Sequence, residues 1–239
     1  MRSILKAGLC VIVLAASGSR AAAQNDSLEE VVVTAERRLE EFDAHRTPYV
    51  TLSKRADNLI TEVTVVCDTR DESQRRAELK ATLRNLVRAA AQDKSIELGL
   101  GEEVVGKFDE TMLESVIVPG GKTDTSRATL LVKTAVTAQD TFDSATSRIR
   151  AFVERAPKVG RTEALLDDEW QLTLVGPAQY RAAVMQLVAQ DAAKAAALFG
   201  PDYGVEVSGL QLPVSWYRAG PLDLALYIPY TLTIRNARK

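Results

Sequence analysis

Three segments of the chain carry apolar residues at intervals of three and four positions, the spacing that places them on one side of an α-helix. The first is residues 70–92 and the second is residues 140–155. The third covers residues 177–199, is rich in alanine, and is followed by Gly200-Pro201, which ends it because proline cannot continue the hydrogen-bond ladder. The pattern therefore predicts three amphipathic helices.

Other segments alternate apolar and polar residues, which is typical of β-strands with one buried face. The clearest is residues 222–235, where every second residue is apolar and Pro229 marks an edge or a bulge because it cannot donate to a ladder. We expect it to pair with residues 205–212. The chain is thus predicted to be an α+β protein, with antiparallel sheets and about three helices packed on one face. The other predicted strands are residues 49–53, 59–67, 96–100, 113–118, 128–136 and 170–175.

Residues 1–23 have the pattern of a secretory signal peptide. Two basic residues precede the apolar run of residues 7–16, and three consecutive alanines offer a cleavage site before Gln24. No later run of about 18 apolar residues follows, which is the length that a membrane-spanning helix needs. We therefore expect a periplasmic protein without an integral membrane segment after signal cleavage.

Residues 24–47 are expected to form a flexible tail, because they are densely charged and have little apolar surface to bury. Residues 48–239 are expected to form one α+β domain. The chain has 30 basic and 32 acidic residues, so its formal net charge is −2. That balance gives no electrostatic basis for binding nucleic acid.

The chain is poor in the side chains that most enzymes and metal sites use. It has one histidine and two cysteines, and no Ser/His/Asp, Cys/His or paired-carboxylate pattern is visible. We therefore predict no enzyme activity, no cofactor and no metal site. His45 lies in the charged tail and is expected to be solvated. Cys67 lies on the apolar face of its strand and is expected to be a buried thiol, the alternative being an exposed, redox-active one.

Two segments have a partial likeness to ligand sites. Residues 118–123 end like a phosphate-binding loop, but Val116 stands where that pattern requires glycine, so a hairpin turn is the better interpretation. Asp167-Asp168-Glu169 could bind a cation, but adjacent carboxylates alternate in direction, which favours a solvated loop.

The C-terminal part of the chain resembles a SIMPL-domain protein. It has an Ala-rich helix with a Lys-Ala step at residues 189–195, a turn at Gly200, a strand, a variable loop and a final alternating strand. The resemblance covers residues 48–236, although Ala56-Asp57 stands where the family often has Pro-Asp. It implies an envelope protein without agreed catalytic residues, which in some members assembles into a homo-oligomeric ring.

The variable loop, residues 213–221, is a candidate contact surface. It is bounded by proline and glycine and contains Trp216, Tyr217 and Arg218. Exposed aromatic side chains at such a position would bind a partner. The alternative is that the loop packs against the core.

A shorter and sharper resemblance lies in the charged tail. Residues 28–35, with the sequence LEEVVVTA, resemble a TonB box, the N-terminal motif of outer-membrane TonB-dependent transporters, and they lie just after the expected cleavage site. Such a box adds as a strand to the sheet edge of TonB's C-terminal domain, and β-branched residues favour that extended state. The alternative is an ordinary first strand, or a chance run of valines. The residues implied in TonB contact are Glu29, Glu30, Val31, Val32, Val33, Thr34 and Ala35.

Two functions follow from these resemblances. The first is a periplasmic adaptor or regulator that presents its TonB box to TonB's C-terminal domain by strand addition and so modulates TonB-dependent transport. The second is a SIMPL-family structural or stress-related envelope protein, ring-forming in the manner of some members, with no TonB role. In both cases the partner is a protein.

Overall fold

The computed structural model describes Glu30–Val33 and residues 49–236. The signal-peptide prediction, His45 and four residues of the TonB-box-like segment lie outside the described residues; the four are Leu28, Glu29, Thr34 and Ala35. Within them the chain is an α+β protein with three α-helices and antiparallel sheets, as the sequence predicts. No helix of the described part is long and apolar enough to cross a membrane.

The largest sheet has the strand order β1-β9-β3-β7-β4-β5, with β6 added to β7 and β8 added to β3. Its two ends come together, because a bridge joins Val31 of β1 to Val104, and the amide of Val105 donates to the Glu30 carbonyl at 3.2 Å. The sheet is therefore curled into a half-barrel that β1 closes. Its strands are β1 (Glu30–Val33), β3 (Asn58–Cys67), β4 (Ile96–Leu100), β5 (Gly106–Lys107), β6 (Val118–Pro119), β7 (Ser126–Ala135), β8 (Thr162–Leu166) and β9 (Gln171–Val175).

Two helices cover one face of this sheet, α1 (Glu72–Gln92) and α2 (Phe142–Arg155). Their N-termini are capped, since Asp71 accepts a hydrogen bond from the Gln74 amide and Thr141 forms a capping box with Ser144. The alternation of β3 places every second side chain against the helices. The residues buried between these layers include Leu59, Val63, Val65, Leu79, Leu83, Leu130 and Ile149.

The third helix, α3 (Arg181–Phe199), follows a short 3₁₀ helix and packs against two smaller sheets. One is the antiparallel pair of β10 (Tyr203–Ser208) and β13 (Thr231–Asn236). The other is the three-stranded sheet of β11 (Ser215–Arg218), β12 (Asp223–Tyr227) and β2 (Leu52–Arg55).

Several segments differ from their predicted structure, three of them in the number or type of their elements. Residues 222–235 form two strands in different sheets, β12 and β13, because Pro229 interrupts the ladder between them. Residues 113–118 are mostly irregular, with buried apolar side chains at Leu113 and Ile117, since a short apolar run does not by itself specify a strand. Residues 162–166 form β8, which no alternation predicts because Glu163 and Leu165 on its outer face differ in polarity.

Candidate functional site

Strand β1 contains four residues of the TonB-box-like segment, and it is the end strand of the curled sheet that meets Val104 near the other end. It pairs antiparallel with β9 over its whole length, from Glu30 opposite Val175 to Val33 opposite Leu172. Glu30–Val33 is thus a strand paired within the fold, as in the alternative of an ordinary first strand, and the TonB contact of residues 29–35 stays a prediction. The β-branched run is extended and β9 offers a sheet edge, so the chain uses the strand within its own fold. We call the site formed by β9, Val104 and Val105 the β1 groove.

The charge of Glu30 does not oppose this docking, because three strands supply partners for its carboxylate. Oε1 accepts hydrogen bonds from Asn58 Nδ2 at 2.6 Å and from the Thr173 hydroxyl at 2.5 Å. Oε2 accepts one from Lys133 Nζ at 2.6 Å. The Glu30 and Lys133 side chains are only 11% and 13% exposed. These four residues, Glu30, Asn58, Thr173 and Lys133, form what we call the Glu30 cluster.

Lys133 is the cation of the Glu30 cluster, and its electrostatics follow from two opposed causes. Burial lowers the pKa of Lys133, but the hydrogen bonds and negative charges of Glu30 and Glu97 outweigh it and hold that pKa above its usual range. Removal of one partner of such a buried pair leaves an uncompensated charge, which costs more than the pair itself stabilises. The Glu30 cluster therefore makes β1 docking specific for a carboxylate at this position.

The next residue of β1, Val31, contacts a second feature of the groove. It is 7% exposed and lies opposite Leu174. It also lines a cleft of about 330 Å³ that extends from Val104 to Trp216 and Pro213, with Arg181 at its side. We call this the Trp216 cleft. It brings together residues from two separate sequence predictions, the TonB-box-like segment and residues 213–221.

The predicted contact loop is itself a strand. Residues Ser215–Arg218 form β11, which pairs with β12, and all four are half-buried. The rings of Tyr217 and Tyr227 lie 6.1 Å apart. The Arg218 guanidinium donates to the carbonyls of Trp170 and Pro221, both at 2.8 Å, and lies over the ring of Phe142. Only Trp216 of the three predicted contact residues lines the Trp216 cleft, so packing against the core is what the structure shows for this segment.

Cys67 is fully buried, as its position on the apolar face predicts. Its thiol donates to the carboxylate of Glu78 at 3.4 Å. Hydrogen bonds from the Thr69 hydroxyl, the Arg161 amide and the Gln74 side chain lower the pKa of Glu78 to about 2. Cys67 thus lies beside a carboxylate that stays ionised, an environment opposite to the electropositive one that activates thiols.

The remaining candidates have structural roles. Residues 120–125 form the turn between β6 and β7, as predicted for a hairpin. Asp168 is almost fully exposed and lies 3.6 Å from Arg150. Within the described ranges no group of three His, Cys, Asp or Glu residues could hold a metal ion. A second cleft, of about 640 Å³, lies between the 120–125 turn and β8, and its Arg161 guanidinium is paired with Asp68 through two hydrogen bonds of 2.7 Å.

Comparisons of the chain with protein-family models, with curated proteins and with solved structures found no significant match. The functional proposal therefore rests on the geometry of the β1 groove.

Proposed function

We propose that this chain is an exported binding protein that presents residues 29–35 to the C-terminal domain of TonB by strand addition, and so modulates TonB-dependent transport. The observation that supports the proposal is the antiparallel pairing of Glu30–Val33 with β9. The segment adopts, at a sheet edge of its own chain, the extended state that a TonB box needs at the sheet edge of its partner.

The two uses of the strand compete, because β9 pairs with one edge of β1, while Val104 bridges to Val31 and the Val105 amide donates to the Glu30 carbonyl on the other edge. Release is topologically simple. β1 precedes the rest of the fold, and residues 34–48 can reach roughly 50 Å when fully extended. The β1 groove and TonB would therefore compete for one strand, and the strength of the Glu30 cluster would set how readily TonB obtains it.

Titration of TonB's C-terminal domain with the mature chain tests this function. We expect saturable binding by the wild type and none by Val32→Pro, because proline removes a backbone donor in the middle of the strand. Undiminished binding by Val32→Pro would exclude strand addition. Arg235→Ala, in the two-stranded sheet away from β1, is the matched surface control and should bind as the wild type does.

A second candidate function is a SIMPL-like structural envelope protein that assembles with itself. One observation favours it: the C-terminal end of α3 exposes apolar side chains, with Leu198 86% exposed, and Phe199 lies 6.0 Å from the ring of Tyr203. Exposed apolar groups that lie together are typical of interaction surfaces. Light scattering tests this function. A large assembly that Leu198→Asp dissociates and Val32→Pro leaves intact would support it.

A further inference from the structure

The β1 groove has more room than its own strand fills. Val31 lies at one side of the Trp216 cleft, which continues past it for about 330 Å³ towards Trp216 and Pro213. A valine side chain is short and has no atom beyond its γ-carbons. Trp216 is half-buried and lines the same cleft as Val31, so the two side chains border one open space.

We propose that the β1 groove also accepts a strand in trans, from a partner protein in which a glutamate is followed directly by an apolar residue larger than valine, such as leucine. The glutamate would take the place of Glu30 in the Glu30 cluster. The larger side chain would extend from the position of Val31 into the Trp216 cleft. This is a binding activity of the groove itself, and it goes beyond the presentation of residues 29–35 to TonB.

Three features of the groove define its occupant. The edge of β9 requires an extended backbone, since it pairs with β1 in a regular antiparallel register. Asn58, Thr173 and Lys133 require a carboxylate, because three donors converge on one side chain. The Trp216 cleft favours a larger apolar side chain at the next position, since each added methylene that leaves water strengthens binding about fourfold.

A partner of different sequence fits these features better than a second copy of the chain does. A second copy would bring the same valine and would leave the cleft as it is. It would also compete with a tethered strand of identical affinity, whose effective concentration in the groove is in the millimolar range. A strand that fills the cleft has an advantage of about fourfold, so it displaces β1 at a lower concentration than a second copy would need.

The test uses the full mature chain with a specific protease site inserted after Glu41, between β1 and the rest of the fold. After cleavage, a fluorescent peptide of residues 24–37 competes for the groove, and anisotropy measures its affinity. We expect the Val31→Leu peptide to bind about fourfold more tightly than the native peptide. We expect the Glu30→Gln peptide to bind at least about tenfold more weakly, since it loses a charge-assisted hydrogen-bond set. The uncut chain should bind the native peptide poorly.

Either of two peptide results would overturn the proposal. The first is a Val31→Leu peptide that binds no better than the native one, and the second is a Glu30→Gln peptide that binds equally well. Light scattering of the uncut chain gives a further check. A dimer that exchanges β1 between copies would identify a second copy as the occupant and would also overturn the proposal.

If the cut chain unfolds, the melting temperature of the uncut chain replaces the peptide assay. Val31→Leu should raise that melting temperature. A lower melting temperature would show that the cleft does not accept the larger side chain and would overturn the proposal. None of these readouts involves TonB, so failure here and failure of the proposed function are distinguishable.

Discussion

The carboxylate of Glu30 accepts a hydrogen bond from the ammonium of Lys133 at 2.6 Å, although 103 residues separate the two along the chain. Both side chains are nearly buried, and Asn58 and Thr173 complete the set of donors around the carboxylate. This pair connects the N-terminal strand to the centre of the large sheet. Docking of β1 therefore depends on the charge of Lys133. A substitution of Lys133 weakens the docking of β1 without changing the sequence of the strand.

Lys133→Met should release β1. The substitution keeps the length of the side chain and leaves Glu30 buried without its cation, which destabilises the docked strand by about 3–5 kcal/mol. The backbone amides of Glu30–Val33 should then exchange with solvent by local opening at least about 100-fold faster, while the amides of β3 and β7 next to α1 keep most of their protection. Hydrogen exchange followed by mass spectrometry measures both.

The matched control is Lys80→Met, which removes the same charge from the exposed pair of Lys80 and Glu114 on α1. It should leave β1 exchange unchanged, since exposed pairs stabilise little. Equal exchange in the Lys133 and Lys80 variants would contradict the role given to the Glu30 cluster.

Acid should destabilise the fold through Glu78 and Asp140. Hydrogen bonds, from the Thr69 hydroxyl above all, lower the pKa of Glu78 to about 2. Burial raises the pKa of Asp140, but hydrogen bonds from Thr137, Arg148 and Ser144 outweigh it and lower that pKa to about 2. A carboxyl group with a depressed folded pKa contributes stability that is present above its unfolded pKa and is lost as the pH falls through its folded pKa.

The free energy of unfolding should therefore fall between about pH 4.5 and pH 2, measured by denaturant titration at several pH values. Glu78→Gln removes one of the two groups, so its stability should depend less steeply on pH in that window. A slope identical to that of the wild type would mean that Glu78 is not held ionised by its hydrogen bonds.

The thiol of Cys67 should be inert in the native protein. It is fully buried and faces the ionised Glu78. Labelling with an aromatic disulfide should proceed only through unfolding, so its rate should rise with denaturant in parallel with the loss of circular dichroism. Labelling within seconds in native buffer would instead support the alternative of an exposed, redox-active cysteine.

Much of the fold can be predicted from periodicity, because its helices and central strands have one apolar and one polar side. The strand predicted at residues 59–67 is β3, and the segment at 96–100 is β4 without any shift. The apolar–polar pattern mispredicts an element where the backbone of a particular residue, such as proline, ends a strand. Residues 222–235 alternate without interruption, yet Pro229 divides them into strands of two different sheets.

Only part of the candidate site can be predicted from the sequence. The valine run can be recognised, but nothing local indicates that it docks on β9, which is more than 130 residues further along the chain. The Glu30 cluster depends on Asn58, Thr173 and Lys133, three polar residues on three different strands. Such residues signal that a strand face meets a polar group, but only the curl of the sheet shows that all three meet the same one.

The measurement that tests the central claim most directly is the affinity of TonB's C-terminal domain for three variants of the mature chain. The wild type should bind, Lys133→Met should bind at least about tenfold more tightly because β1 no longer has to leave an intact Glu30 cluster, and the double variant Lys133→Met with Val32→Pro should not bind. If Lys133→Met and the wild type bind with equal affinity, or neither binds, then β1 is a fixed strand of the fold and not one that the chain presents to TonB.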